Sequence, residues 1–234
     1  MTGSTELAEV DFWFDPICGW SWIASRWLTE VALLRPITLR WHPIGLAVGV
    51  AQEPEVTGEW LLVHELSKRF ARVCAAVAEE HDNDAVAEFY TALGTRIHGA
   101  GGLFKAVRAA SPEELTAARV AALQEAGAVI DAALADAQLP AGLAAAMNSD
   151  SWDDRLRALR REVPSGRLQA DPIGVPMISV NGGAAVFGPV VGERLVSEAA
   201  ARFWDAFRVL AEQESFFELK RAGIRPPIRE YLPD

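Results

Sequence analysis

The chain predicts an α/β fold in which a β-α-β unit and a later β-β-α unit enclose a long helical insert. Three observations lead there. Residues 9–44 pass from a strand-like run to a helix-like period and back to strand-like alternation. Residues 53–161 are rich in Ala, Leu, Glu and Arg and show no convincing strand. Strand patterning then returns around Met177-Ile178-Ser179-Val180 and is followed by a final helical stretch. The side-chain period, near 3.6 for a half-buried helix and 2 for a half-buried strand, separates these regions.

Taken in order, residues 9–15 form the first strand, with Val10-Asp11-Phe12-Trp13-Phe14 as its apolar centre. A helix from about Cys18 to Leu34 follows, since Ile23, Trp27, Leu28 and Val31 recur on one face. It stops near Pro36, which cannot continue a helical ladder. The run 37–44 alternates apolar and polar residues as a half-buried strand does. In the insert, Ser111-Pro112-Glu113-Glu114 combines a helix cap, a first-turn proline and a capping-box acid. Leu139-Pro140 and Asn148-Ser149-Asp150 punctuate the following helices, and Ser149 or Asp150 is expected to cap a last one over 152–162, before Pro164-Ser165-Gly166. Asn181-Gly182-Gly183 is a hairpin turn between strands 177–180 and 184–187. Helices are expected over 192–207 and around 216–220, then an irregular tail at Pro226-Pro227-Ile228-Arg229.

The 234 residues suffice for one large domain or a domain with an insert. A formal net charge of −10 argues against nucleic acid or an anionic membrane surface as partner. The acidic start, Met1 to Glu9, lacks the basic and apolar regions of a signal peptide, and no apolar run reaches the roughly 18 residues of a membrane span. A cytoplasmic location is expected, where a structural disulfide between the two cysteines, Cys18 and Cys74, is disfavoured. A homodimer is compatible with the chain, though no sequence feature calls for one.

Cys18 carries the most chemical information. It stands in Phe14-Asp15-Pro16-Ile17-Cys18-Gly19-Trp20-Ser21-Trp22, where the first strand turns into the first helix. Unpaired N–H groups and the dipole at a helix start favour the thiolate, the nucleophilic form. The spacing is that of a Cys-x-x-Cys site whose second cysteine is replaced by Ser21, so Cys18 can attack but cannot close an internal disulfide there. Ser21 is placed to donate a hydrogen bond to the Cys18 thiolate. Gly174-Val175-Pro176-Met177 opens the third strand, and a proline at a strand start costs no central ladder bond. By resemblance to thioredoxin folds, a cis Val175–Pro176 bond is expected, with the Val175 backbone free to pair with a thiol-bearing substrate beside Cys18.

The order β-α-β, helices, β-β-α is that of a thioredoxin fold with an inserted all-helical domain. Residues 1–52 and 165–234 are assigned to the thioredoxin-like part and 53–164 to the insert. Phe12-Trp13-Phe14-Asp15-Pro16-x-Cys18-x-Trp20-x-Trp22-x-x-Ser25-Arg26-Trp27, Arg96-Ile97-His98, Gly174-x-Pro176, Phe187-Gly188-Pro189 and Phe216-Phe217-Glu218-Leu219-Lys220 extend the resemblance over almost the whole chain. The chain resembles the DsbA-like thioredoxin superfamily, with kappa-class glutathione transferases and hydroxychromene carboxylate isomerases among the relatives. It is most similar to the actinobacterial mycothiol-dependent nitroreductase group. That resemblance implies mycothiol, or another low-molecular-weight thiol, as co-substrate, a small electrophilic or disulfide substrate, and no metal. Close relatives in that group carry Cys-Pro-Trp-Cys where this chain has Cys18-Gly19-Trp20-Ser21.

By the same resemblance, the helical insert caps the cysteine cleft, and Tyr90 and His98, eight residues apart on one helix face, are cleft candidates. Trp20 and Trp22 flank the motif, one lining the cleft and one packed inside; Trp13 and Trp41 are further wall candidates. Cys74, in an apolar helical run, reads as a small core residue. His42 reads as structural, His64 and His81 as exposed helix residues, and the four histidines lack metal-site spacing. Arg26 either pairs with an internal acid or meets a carboxylate of the thiol. Three functions remain open at this point: a monothiol disulfide oxidoreductase, a kappa-type transferase or isomerase in which a bound thiol is the nucleophile, and a redox-inactive thiol- or protein-binding homologue.

Overall fold

The computed structural model describes residues 6–48, 58–164 and 174–222. Strand β1 (Ala8–Phe14) leads through α1 (Gly19–Ala32) to β2 (Ile37–Pro43). Helices α2 (Glu59–Glu80), α3 (Asn83–His98), α4 (Lys105–Ala109), α5 (Leu115–Asp136) and α6 (Asp153–Arg161) follow, with 3-10 turns at Ala141–Asn148 and Asp150–Trp152. Strands β3 (Met177–Val180) and β4 (Val186–Phe187) and helix α7 (Ser197–Ala211) complete the described chain.

The sheet order is β2-β1-β3-β4. β1 runs parallel to β2, Phe12 opposite Trp41, and antiparallel to β3, Phe12 opposite Ile178. The crossover through α1 suits the parallel pair, which a tight hairpin could not join. This is the thioredoxin fold, with helices inserted between β2 and β3. The boundaries expected at 52/53 and 164/165 fall in or beside stretches outside the described residues.

β1 is central and both its faces are covered. Phe12 and Phe14 point into a core shared with α1, α2, α3 and α5, while Trp13 packs with Ile44, Val163, Val175 and Met177 on the other face. The inserted helices share this core, with Leu66, Phe70, Phe89 and Leu93 buried in the same cluster as Phe12 and Trp27, and add a smaller cluster of Val48, Ala71, Ala75, Leu156 and Leu159. Trp27 is the deepest anchor of α1. Its indole N–H donates to the Ala200 carbonyl at 3.1 Å, and its ring meets Phe203, Trp204 and Phe207 of α7. Asn83, the first residue of α3, clamps β2 by accepting from the Trp41 N–H and donating to the Trp41 carbonyl.

Several boundaries differ from the sequence expectation for local physical reasons. The capping box forms at Ser111, whose N–H donates to the Glu114 carboxylate, but the first turn is tight and α5 starts at Leu115. A 3-10 turn intervenes before α6, leaving Trp152 at the cap position with no side-chain cap instead of Ser149 or Asp150. The final helix starts at Ser197 instead of 192, because Val196 is extended and Ser197 takes φ +51°, with its N–H given to Glu30. It runs past Phe207 to Ala211, where the Arg208–Glu212 pair supports its last turn. Residues 216–220 are irregular, and Phe217 and Leu219 stay exposed, so no buried face exists to hold a helix there. β4 is confined to Val186–Phe187. Asn181 and Gly182 both take positive φ, as the hairpin turn demands. The break at Ser165-Gly166 and the tail at 226–229 lie outside the described residues.

Candidate active site

Cys18 is the N-cap residue of α1, with extended backbone, and no side chain caps the helix. The first-turn N–H groups are thus left to the sulfur: those of Trp20 and Ser21 act to lower its pKa, as does the Ser21 hydroxyl. Across the site the Val175–Pro176 bond is cis, and the Cys18 thiol donates to the Val175 carbonyl at 3.7 Å. Five of the expected site residues, Cys18, Trp20, Ser21, Val175 and Pro176, are therefore gathered at one end of the sheet.

The Cys18 thiol is nevertheless pushed above its ordinary pKa. Desolvation is the largest cause and outweighs what the Ser21 donors would give the anion; the charge of Asp15 adds to the rise. The expectation of a thiolate favoured by the helix start is corrected on this point: in a half-buried site, the cost of taking the anion out of water exceeds what the helix start returns. Ser21 Oγ is buried with no hydrogen-bond partner while the sulfur is a neutral donor to Val175. Ionisation turns the sulfur into an acceptor, which the Ser21 hydroxyl then meets.

Asp15, which the sequence reading left in the background, organises the turn. Fully buried, it accepts from the Ile17 N–H at 2.9 Å, the Leu46 N–H at 2.8 Å and the Ser67 hydroxyl at 2.6 Å. It ties the Cys18 turn to the end of β2 and to α2. Burial outweighs those three donors and raises its pKa.

Tyr90 and His98, expected in the cleft, are instead buried beneath it. Tyr90 stacks on Phe14 at a centroid distance of 3.7 Å and lies edge-on to Trp22. His98 packs against Trp22, and its Nε2 lies 2.9 Å from the Pro16 carbonyl, so it is the Nε2–H tautomer that donates there. Burial pushes His98 down to about 4, which keeps the ring neutral at physiological pH. The helix carrying both is continuous, as their spacing required, but their face is the one α1 covers. Trp22 is the tryptophan packed inside, and Trp20 stays half-buried beside Cys18. Trp13 and Trp41 are buried; Trp41 reaches the wall of a groove it shares with Leu39, Thr91 and Val129. Cys74 is buried in α2, with a thiol pKa raised well above normal by desolvation.

His42 pairs with Asp11 at 2.7 Å and stacks on Trp13, a structural role. His64 and His81 are half-buried, not fully exposed. Among the described residues no group of three or more His, Cys, Asp or Glu is placed to hold a metal ion, and no helix is long and apolar enough to cross a membrane.

The sheet order, with a helix-start cysteine facing a cis-proline loop, defines the class of thioredoxin-like proteins. Within that class, the chain belongs to the Rv2466c-like family, described as mycothiol-dependent nitroreductase Rv2466c, which it matches over residues 17–221. It is also similar to the uncharacterized protein Rv2286c of Mycobacterium tuberculosis (strain ATCC 25618 / H37Rv), 26% identical over 220 residues, which cover 92% of this chain and 82% of that protein. Among solved structures, 2-hydroxychromene-2-carboxylate isomerase aligns over 86% of this chain and 93% of its own, with 15% identity and a TM-score of 0.48.

Proposed function

We propose that this chain is a cytosolic, mycothiol-dependent disulfide oxidoreductase that works through Cys18 alone. The observation that carries the reading is the place of Cys18 at the start of α1, 3.7 Å from the Val175 carbonyl beside the cis Val175–Pro176 bond, with the Ser21 hydroxyl one turn on buried and without a partner. That donor is of use only to an anionic sulfur.

In the first step the Cys18 thiol gives its proton to solvent and the thiolate attacks one sulfur of a disulfide. The S–S bond breaks, a thiolate leaves with the bonding electron pair, and Cys18 becomes half of a mixed disulfide. The Val175 carbonyl loses its contact with the Cys18 S–H in that step, and the backbone beside Pro176 flanks the incoming sulfur. With Ser21 in place of a second cysteine, release comes from outside. A mycothiol thiolate attacks the mixed disulfide and leaves as a new disulfide, and Cys18 returns as a thiol after reprotonation. The raised pKa slows the attack without abolishing it. Nucleophilicity rises with thiol basicity, with a slope of about 0.4–0.5, and so offsets part of the lost thiolate fraction.

The same raised pKa favours a second reading, a kappa-type transferase or isomerase. There a bound thiol is the nucleophile, and Ser21 and the α1 N–H groups stabilise its anion. Turnover of mycothiol with a small disulfide, compared between wild type and Cys18→Ser, separates the two. Loss of all turnover in Cys18→Ser supports the monothiol cycle; retention of most of it replaces that cycle with the transferase reading.

A further inference from the structure

Arg26 differs from the arginines that close ion pairs across the fold. Arg35, Arg40, Arg72, Arg96 and Arg155 each bind a carboxylate. Arg26 has no carboxylate partner among the described residues, although the chain carries 32 acidic residues against 22 basic ones. Its Nε donates to Ser25 Oγ at 3.2 Å and its Nη2 to Thr91 Oγ1 at 3.1 Å, while the guanidinium carbon sits 4.3 Å from the Trp22 ring centroid. Those contacts hold the planar fork still and leave donors over, because a guanidinium has five N–H groups. Arg194, exposed on the segment before α7, adds a second positive charge close enough to depress the Arg26 pKa. The larger cause of that depression, to about 10, is burial. A half-buried cation beside another cation, with no counter-ion, gains most when an anion binds.

Position links this charge to the sulfur. Cys18, Trp22 and Arg26 follow at intervals of four residues and so share one side of α1. A helical side chain leans toward the helix N-terminus, which brings the guanidinium back over Trp22. Trp22 is about 6 Å from Cys18 along the axis, four residues at about 1.5 Å each. The guanidinium, drawn back over Trp22, is thus on the Cys18 side of its own Cα, as a compact substrate that carries both an anion and a sulfur would require.

We propose that Arg26, backed by Arg194, binds a carboxylate carried by the disulfide that Cys18 attacks, so that the substrates are anionic aryl or similarly compact disulfides. The inference rests on the Cys18 reading above and adds a substrate class to it. In the reaction the carboxylate stays on Arg26 while Cys18 takes one sulfur and the other leaves as thiolate with the electron pair.

The test compares two small disulfides: 5,5′-dithiobis(2-nitrobenzoate), which bears a carboxylate on each ring, and 4,4′-dithiodipyridine, which is uncharged at neutral pH. Rates with each are measured for wild type, Arg26→Gln, Arg26→Lys and Arg194→Gln, with Cys18→Ser subtracting Cys74. The ratio of the carboxylate-bearing to the neutral rate is expected to fall about tenfold in Arg26→Gln, as for loss of a charge-assisted hydrogen bond. It should fall a few-fold in Arg194→Gln, an exposed position where folding is not at stake, and recover partly in Arg26→Lys. A ratio within about twofold of wild type in both Gln variants overturns the anion site while leaving the Cys18 reading intact. Failure of wild-type Cys18 to react with either reagent overturns both.

Discussion

The Cys18 sulfur lies 3.7 Å from the Val175 carbonyl oxygen, so the resting thiol is held by the loop that opens β3. The Trp20 and Ser21 N–H groups of α1 and the Ser21 hydroxyl favour the ionised form of the same atom. The site is built around an equilibrium between a thiol bound to Val175 and a thiolate bound to Ser21 and the helix start.

That equilibrium predicts a pH profile. Because desolvation raises the Cys18 pKa, alkylation of Cys18 by iodoacetamide should still be accelerating at pH values where an ordinary cysteine, near 8.5, has levelled off. Ser21→Ala removes a hydrogen bond to the charged form worth about 1.5 kcal/mol. The profile should move to still higher pH, and the neutral-pH rate should drop roughly tenfold. A Ser21→Ala profile that superimposes on wild type would show that the hydroxyl does not meet the thiolate.

Ser21→Cys should restore what the motif lacks. Oxidised wild type should keep both its thiols, since Cys74 is buried in α2 and both cysteines are free. Oxidised Ser21→Cys should lose two of its three thiols, as Cys18 pairs with the introduced cysteine. Thiol titration under denaturing conditions reads the difference, and three thiols remaining would show that the two positions cannot be bridged.

Asp15 is predicted to trade stability against reactivity. Asp15→Asn takes a negative charge away from Cys18 and should lower the Cys18 pKa. It also puts an amide donor among the Ile17, Leu46 and Ser67 donors, at a cost of about 2 kcal/mol. Urea unfolding and the alkylation profile of one variant should show the two effects with opposite value to the protein.

His98 predicts an acid-sensitive fold. Its folded pKa, about 4, lies below the ordinary value of 6.5, so the unfolded chain binds the proton more readily. The contribution to stability is complete above pH 6.5 and is lost as pH falls toward 4, by on the order of 3 kcal/mol. His98→Gln keeps an N–H for the Pro16 carbonyl and removes the titration. Between those pH values its stability should fall less steeply than wild type.

Much of this was legible in the chain. The strand-to-helix turn at Cys18, the hairpin at Asn181-Gly182 and the Pro176 strand start follow from local rules that the tertiary structure respects. The burial of Tyr90 and His98 was not legible, because a shared helix face says which residues travel together and not what covers them. Gly94 is what lets α1 cover them: a Cβ there would run into the Trp22 ring. Asp15 was equally hidden, since an Asp before Pro reads as an ordinary turn, and its partners Leu46 and Ser67 are distant in sequence. The sign of the Cys18 shift depends on how much water the assembled loops exclude, which no motif encodes.

The most direct test of single-cysteine chemistry is intact-protein mass spectrometry after incubation with mycothiol disulfide. The account predicts one mycothiol adduct, located at Cys18, absent from Cys18→Ser and removed by reduced mycothiol. An adduct on Cys74, or no adduct while the protein turns over, would contradict it.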